Sequence, residues 1–402
     1  MTESESLIMN SSPDKTIVPV LQTLFAQYDS IMIAELKGLY ITHTDVEKAI
    51  SNISSAQGVT VDDVGKSVER RAIRKVTIGS GAIPVLLWTQ MHGDESTATR
   101  AVFDLLQLLL RQPDYAKAAI ETILERVTIH IIPMLNPDGA ERYTRQNALG
   151  IDLNRDAKAL RSPESKILMN TFHAIKPQFC YNLHDQSRLY TQQRYALKEL
   201  QPVAPIQMSF LAPSENASED YSPNRLRAAE LISDIVHLLN RSLPSPIKLG
   251  RYSDSYEPRA FGDTLQGLGT SLMLFESGET CSDPEREDIR KYNTLAMFGS
   301  LYLIAENAIG GMGAEYYNDL PLNQSVTFDL VLQGVKLIKG TTEVTLDIGL
   351  VKTTKLENGR LIHRYIIAEI GDLTTRKTLE IRSNIQHLLL TNPTIGTEIK
   401  LS

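Results

Sequence analysis

Cysteine is nearly absent from this chain: Cys180 and Cys281 are the only two among 402 residues. Cys180 falls inside a short apolar run that reads as a buried strand, so no disulfide framework is expected and a reducing cytoplasm fits. No apolar stretch approaches the roughly 20 residues needed to cross a bilayer. The opening residues Met1-Thr2-Glu3-Ser4-Glu5-Ser6 are acidic and polar, with no cationic stretch leading into an apolar core, so no secretory signal is read there. Basic runs are missing too. Lys and Arg number 41 against 48 Asp and Glu, interspersed and giving a net charge of −7, which argues against nucleic acid or an anionic membrane as the main partner. There is no internal repeat and no low-complexity segment.

What is present belongs to a globular protein. A hydrophobic fraction of 42% with 22% charged residues supports a packed core, and the length exceeds one typical core, so two domains are expected. Four short apolar runs end in polar residues. Ile83-Pro84-Val85-Leu86-Leu87-Trp88 leads to Met91-His92-Gly93-Asp94-Glu95, and Val127-Thr128-Ile129-His130-Ile131-Ile132 leads to Asn136-Pro137-Asp138-Gly139. Phe179-Cys180-Tyr181-Asn182-Leu183 stops at His184, and Leu272-Met273-Leu274-Phe275 stops at Glu276. Runs of this length between helical patterns read as buried strands of a mostly parallel sheet, whose carboxyl ends are where open α/β sheets place ligands.

Along the chain, residues 1–14 read as disordered, and Ile17, Val18, Leu21, Leu24 and Phe25 recur at helical spacing. A short helix is expected after His43, then a loop to about residue 60. Val68 to Ile78 reads as an antiparallel strand, and Thr97 to Arg111 as a crossover helix. Proline at the first helical position after a capping residue predicts helices at Ser162-Pro163, Ser222-Pro223 and Asp283-Pro284. Gly310-Gly311-Met312-Gly313 breaks the composition, and beyond it the apolar period becomes two, with Asn358-Gly359 as a hairpin signal. The expected organisation is an N-terminal helical, partly disordered segment (1–60), a catalytic domain (61–312) and a small all-β domain (316–402). The fold class is α/β: a mixed, mostly parallel twisted sheet with helices on both faces, plus that β domain.

His92-x-x-Glu95 offers an imidazole and a carboxylate near enough to share one ion, and His184 adds a second nitrogen. Three such ligands leave a fourth position for water, which is the catalytic form of a zinc site, and the lack of thiolates disfavours a closed structural one. Taken singly, His184 also reads as a hydrogen-bonded strand-end histidine and Glu276 as a capping or salt-bridged acid. Arriving at one sheet edge together, they are hard to attribute to packing. Asn-Pro-Asp-Gly is a turn, but the Asp152-Leu153-Asn154-Arg155 stretch that follows has no such local explanation; an Asn–Arg pair can hold a carboxylate by a fork of donors. His130, His173, His237, His363 and His387 have no metal-spaced partner.

His-x-x-Glu, Asn-Pro-Asp-Gly, Asp-Leu-Asn-Arg, a later His and then Phe-Glu, in this order over roughly 70–309, resemble the zinc carboxypeptidases, the carboxypeptidase A-like metallopeptidases. The resemblance implies that His92, Glu95 and His184 ligate one zinc ion and that Asp152 supports a zinc histidine. Asn154 and Arg155 would grip the substrate's terminal carboxylate, and Arg145 would polarise the scissile carbonyl. Glu276 would be general base toward a zinc-activated water, then general acid. A tyrosine on a mobile loop is also implied; Tyr252 and Tyr256 both lie in the region, and spacing to Gly262 favours Tyr256. Asp263, in the expected pocket segment, is a candidate for selecting basic side chains, and Asp185 and Gln186 for extra polar contacts. The implied partner is a peptide or small amide with a free carboxylate. The runner-up is a related zinc amidohydrolase, of the aspartoacylase and succinylglutamate desuccinylase type, that removes an acyl group from an amino acid; a catalytically idle scaffold is the third reading.

Overall fold

The computed structural model describes residues 12–192, 200–280, 282–383, 389–391 and 393–399; residues 1–11, Cys281 and His387 lie outside the described residues. Two compact units result. The first joins Met1–Gln186, Gln207–Ser277 and Glu285–Pro321, and the second joins Ser187–Ile206, Gly278–Pro284 and Leu322–Ser402.

In the first unit eight strands form one sheet: β1 Val59–Lys66, β2 Ala72–Ile78, β3 Ile83–Thr89, β4 Val127–Ile132, β5 Phe179–Asp185, β6 Met208–Leu211, β7 Leu249–Arg251 and β8 Ser271–Ser277. Their spatial order is β1-β2-β4-β3-β5-β8-β6-β7. The centre, β4-β3-β5-β8, is parallel, as expected for runs apolar on both faces. Antiparallel pairs flank it at β1–β2, β2–β4 and β8–β6.

Alternation along β3 shows why both faces are buried. Val85 and Leu87 join a core with helices Ser12–Ala26, Thr97–Arg111, Lys117–Arg126, Pro223–Ser242 and Glu287–Glu306. Leu86 and Trp88 join another with helices Pro163–Ile175 and Phe261–Gly267. Each such side chain contributes roughly 1.5–3 kcal/mol on full burial.

Helix starts follow the capping logic in two cases. The Ser162 and Ser222 side chains accept from the backbone N–H of Ser165 and Arg225, with proline at the first helical position. The third differs: the helix begins at Glu287, not at Pro284. Arg286 takes a left-handed conformation (φ 57°) and donates to the carbonyls of Ser277 and Gln186. That placement breaks the helical path between Pro284 and Glu287, and Glu287 and Asp288 then face the positive helix end. The strand expected from Val68 begins only at Ala72, because Ser67–Arg71 is a tight turn with Arg70 at φ 70°.

The helix over Ser12–Ala26 and the coil after it belong to the first unit's core. Asp104, fully buried on the Thr97–Arg111 helix, accepts from Arg290 Nε (2.6 Å) and Nη2 (2.7 Å), Tyr28 Oη (2.5 Å) and Ile33 N (2.8 Å).

The second unit is β-rich, with a seven-stranded sheet whose backbone is the meander Phe328–Lys339, Thr342–Glu357 and Arg360–Gly371. Asn358 (φ 51°) and Gly359 (φ 74°) make the hairpin turn between the last two. This unit also takes in strands Tyr190–Thr191 and Gln201–Pro202 from within the 61–312 stretch. Helix Gly313–Asn318 packs in the first unit.

Candidate metal centre and active site

β3 ends at Thr89, and Gln90 (φ 48°) turns the chain into the His92–Glu95 segment. A Cβ on Gly93 would lie 2.0 Å from the Gly139 carbonyl carbon, so only glycine lets this segment press against the Asn136–Gly139 turn. Asn136 fastens the two together: its Oδ1 caps Gly139 N at 2.9 Å, and its Nδ2 donates to Met91 O at 3.2 Å. Asp138 is fully buried and accepts from Ser67 Oγ, Glu69 N and Arg71, which locks the β1–β2 turn onto the same corner. The Asn-Pro-Asp-Gly motif is thus a clamp behind the site.

β5 and β8 are parallel neighbours, and their register sets His184 directly beside Glu276. His92 Nδ1 lies 2.8 Å from Glu95 Oε1, His184 Nδ1 lies 2.8 Å from Glu95 Oε2, and the two Nδ1 atoms are 3.2 Å apart. One donor atom from each of the three residues falls within 4.8 Å of the others, and all three residues are buried. Asp152 Oδ1 sits 3.1 Å from His92 Nε2. Holding the proton on Nε2 leaves the Nδ1 lone pair facing the cluster, so the donor set, two imidazoles and a carboxylate, fits zinc in type and number.

Arg145 Nε donates to Asp152 Oδ2 at 3.0 Å, and Nη1 reaches Glu95 Oε1 at 3.3 Å, so the guanidinium stands at the cluster's edge. Asn154 Nδ2 is 3.5 Å from His184 Nε2, while its Oδ1 accepts from Phe261 N at 2.9 Å. Arg155 donates to Asn154 O at 2.7 Å and already faces a carboxylate, that of Glu257 at 3.5 Å. Tyr256 stands partly buried on the coil beside Glu257. Asp263 is buried and its Oδ1 accepts from Glu257 N at 2.9 Å, so it shapes that coil.

The electrostatics are those of a charge cluster out of water. Burial alone would lower the His92 pKa, but Glu95 and Asp152 outweigh it and push it up to about 9. Burial would raise Glu95, yet the two histidines hold it well below the ordinary carboxylate range. Glu276 goes the other way: burial and the nearby Glu95 carboxylate raise it well above its usual value. A cation held at the cluster acts against that rise. Cys180, fully buried, is pushed up to about 12 and is no nucleophile.

Sequence reading passed over the partners that hold this set. Thr97 donates to Asp185 Oδ2 from Oγ1 at 2.8 Å, Arg286 pairs with the same oxygen at 3.2 Å, and Asp185 N donates to Glu95 Oε2 at 3.2 Å. Asp185 stood out only as a neighbour of His184; nothing local marks Thr97 or Arg286. Glu257, the partner of Arg155, had no signal beyond lying next to Tyr256.

Comparison with known proteins places these features in context. Residues 47–203 match the family model described as zinc carboxypeptidase. Carboxypeptidase SOL1 of Arabidopsis thaliana is 29% identical over 184 residues, 41% of this chain and 37% of that protein. Carboxypeptidase 2 of Trichophyton equinum is 25% identical over 135 residues, 34% of this chain and 24% of that one. The chain thus spans little more than a third, or less, of the length of these curated relatives. A metallo-carboxypeptidase from Burkholderia cenocepacia shares the fold, with TM-score 0.52 and 17% identity over 66% of this chain and 69% of that one. No helix among the described residues is long and apolar enough to cross a membrane.

Proposed function

The chain is a member of the zinc carboxypeptidase family, and on that premise we propose that it hydrolyses the C-terminal bond of a peptide or small amide bearing a free carboxylate. The carrying observation is the meeting of His92, Glu95 and His184 beside Glu276, with Arg145 at the rim. His92, Glu95 and His184 would hold one zinc ion, which when bound supplies Lewis acidity toward a carbonyl and water. Glu276, set beside His184 by the strand register, takes the proton of the attacking water and passes it to the leaving amine. Arg145 offers fixed positive charge to the developing oxyanion, an effect on the order of 3 kcal/mol. Asp152 holds both His92 and Arg145 and so sets their mutual geometry. Arg155 and Asn154 receive the terminal carboxylate, with Arg155 exchanging Glu257 for the substrate, and Tyr256 on the same coil contacts the bound residue. A reducing, cytoplasmic setting is part of this reading.

The test compares zinc-loaded protein on N-acyl dipeptides with free and amidated C-termini. Free termini should be cleaved and amidated ones not, and Arg155→Ala should raise KM for free termini about tenfold or more. Equal cleavage of both forms would sink the clamp. The acyl-amino-acid hydrolase alternative would be installed instead by acetate release from N-acetylaspartate with peptides inert; the family match does not favour it.

A further inference from the structure

One layer beneath the His184–Glu276 pair, the central strands set Trp88, Asn182 and Leu274 side by side. Strand alternation puts them on the face that carries His184 and Glu276, about 7 Å deeper into the sheet. Trp88 and Leu274 belong to the apolar core that also takes in Phe261 and Leu265. Asn182 is fully buried there, and neither its Nδ2 nor its Oδ1 has a hydrogen-bond partner. Trp88 Nε1 is likewise buried and unpartnered, and so is Gln266 Nε2, whose Oε1 accepts from Leu272 N. Buried polar groups are nearly always satisfied, and each one that is not forfeits its hydration without compensation. A lone asparagine in an apolar strand is therefore an expensive choice for packing.

The inventory of unmet groups has a definite complement. Asn182 Nδ2, Trp88 Nε1 and Gln266 Nε2 are donors, and Asn182 Oδ1 is an acceptor. An alkyl side chain meets none of them, an ammonium or guanidinium meets only the acceptor, and a carboxylate meets the donors but leaves Oδ1 unmet. A primary carboxamide presents an acceptor and a donor together and satisfies both kinds. The location suits a substrate side chain. Asn154 lies over His184 and binds Phe261 N, so the proposed carboxylate clamp sits at the rim of this face. Leu274 is 8% exposed, against 0% for Trp88 and Asn182.

Resting on the carboxypeptidase reading, we propose that Asn182 is a specificity-determining residue whose amide pairs with a carboxamide side chain on the substrate's terminal residue, glutamine or asparagine. The test uses full-length, zinc-loaded protein and N-acyl dipeptides ending in glutamine, asparagine, glutamate, leucine or lysine. At least one carboxamide should lead in kcat/KM by tenfold or more over the other three. Asn182→Leu should reverse that order in favour of leucine, and Asn182→Ala, which leaves room and no amide, should abolish it. A second readout needs no turnover: free glutamine or asparagine should raise the melting temperature of wild type more than leucine, glutamate or lysine does, and lose that advantage in both variants. Zinc content reports that each variant is folded. Equal use of all termini by wild type, or an unchanged order in the variants, overturns the proposal. Carboxamide-selective stabilisation without hydrolysis of any peptide would support the pocket and overturn the peptidase reading; hydrolysis without selectivity would do the reverse.

Discussion

Removing the Asp152 carboxylate tests how the centre is held. Asp152 accepts from His92 Nε2 (3.1 Å), Arg145 Nε (3.0 Å) and Asn154 N (2.9 Å), so Asp152→Ala frees an imidazole, a guanidinium and a turn at once. Two effects on zinc affinity oppose each other. Loss of the acceptor that fixes the His92 tautomer should weaken binding about 10- to 100-fold, or about 1.4–2.7 kcal/mol. The same carboxylate helps push His92 up to about 9, so at pH 7 the wild-type metal must displace a proton at a cost of roughly 3 kcal/mol. Without Asp152 that competition falls. The first effect stands alone at pH 9.5, where His92 is largely neutral in either protein, and is partly masked at pH 7. Competition against a chromogenic chelator at both values should therefore show a larger affinity loss at the higher pH. Affinities equal to wild type at both values would refute the assigned support, and a loss greater at pH 7 would refute the protonation argument.

Further expectations follow from the same geometry. Glu276→Gln should keep zinc while kcat falls by about two to four orders of magnitude, since it removes a proton carrier and not a donor atom of the cluster; turnover near wild type would mean another base. Asp104→Ala takes from the buried Arg290 guanidinium its closest carboxylate partner, leaving only the partly exposed Glu287 at 3.3 Å, and should cost about 3 kcal/mol in denaturant, followed through the single tryptophan, Trp88, in the first unit's core; a loss below about 1 kcal/mol would contradict that account. His130 is lowered to about 4, mainly by burial and then by Lys75. The unfolded chain binds this proton first as pH falls below about 6.5, so the contribution is full above that value and lost on the way down to about 4. Because the half-buried ring keeps part of its water, solvent screening holds the difference to about 1 kcal/mol, and His130→Gln should slightly flatten the decline in melting temperature across that window; an unchanged slope would show that His130 does not drive it.

Local chemistry made much of this legible beforehand. Strand runs with polar residues at their ends announced β3, β4, β5 and β8, because continuous apolar sequence four to eight residues long suits a sheet buried on both faces. Asn358-Gly359 announced its hairpin, since both residues tolerate positive φ. Ser162 and Ser222 announced their helices through caps made within three residues. Where a distant group intervened, local rules failed: Arg286 reaches back to Ser277 and Gln186 and delays a helix that proline alone would have started at Pro284. The same holds for Asp138, which looked like a turn residue and is a buried anchor for a segment some 70 positions earlier.

The order of residues alone marked the candidates for metal donors and proton carrier, because His92 with Glu95, then His184, then Glu276 stand at or just past the ends of three apolar strand runs. Only the tertiary structure decided that they meet. The parallel β5–β8 register, joining positions 92 residues apart, puts His184 beside Glu276, and Gly93 against Gly139 brings His92 and Glu95 to the same edge. Backbone ladders and close backbone approaches carry no side-chain signature, so their outcome was not written in any local stretch of sequence.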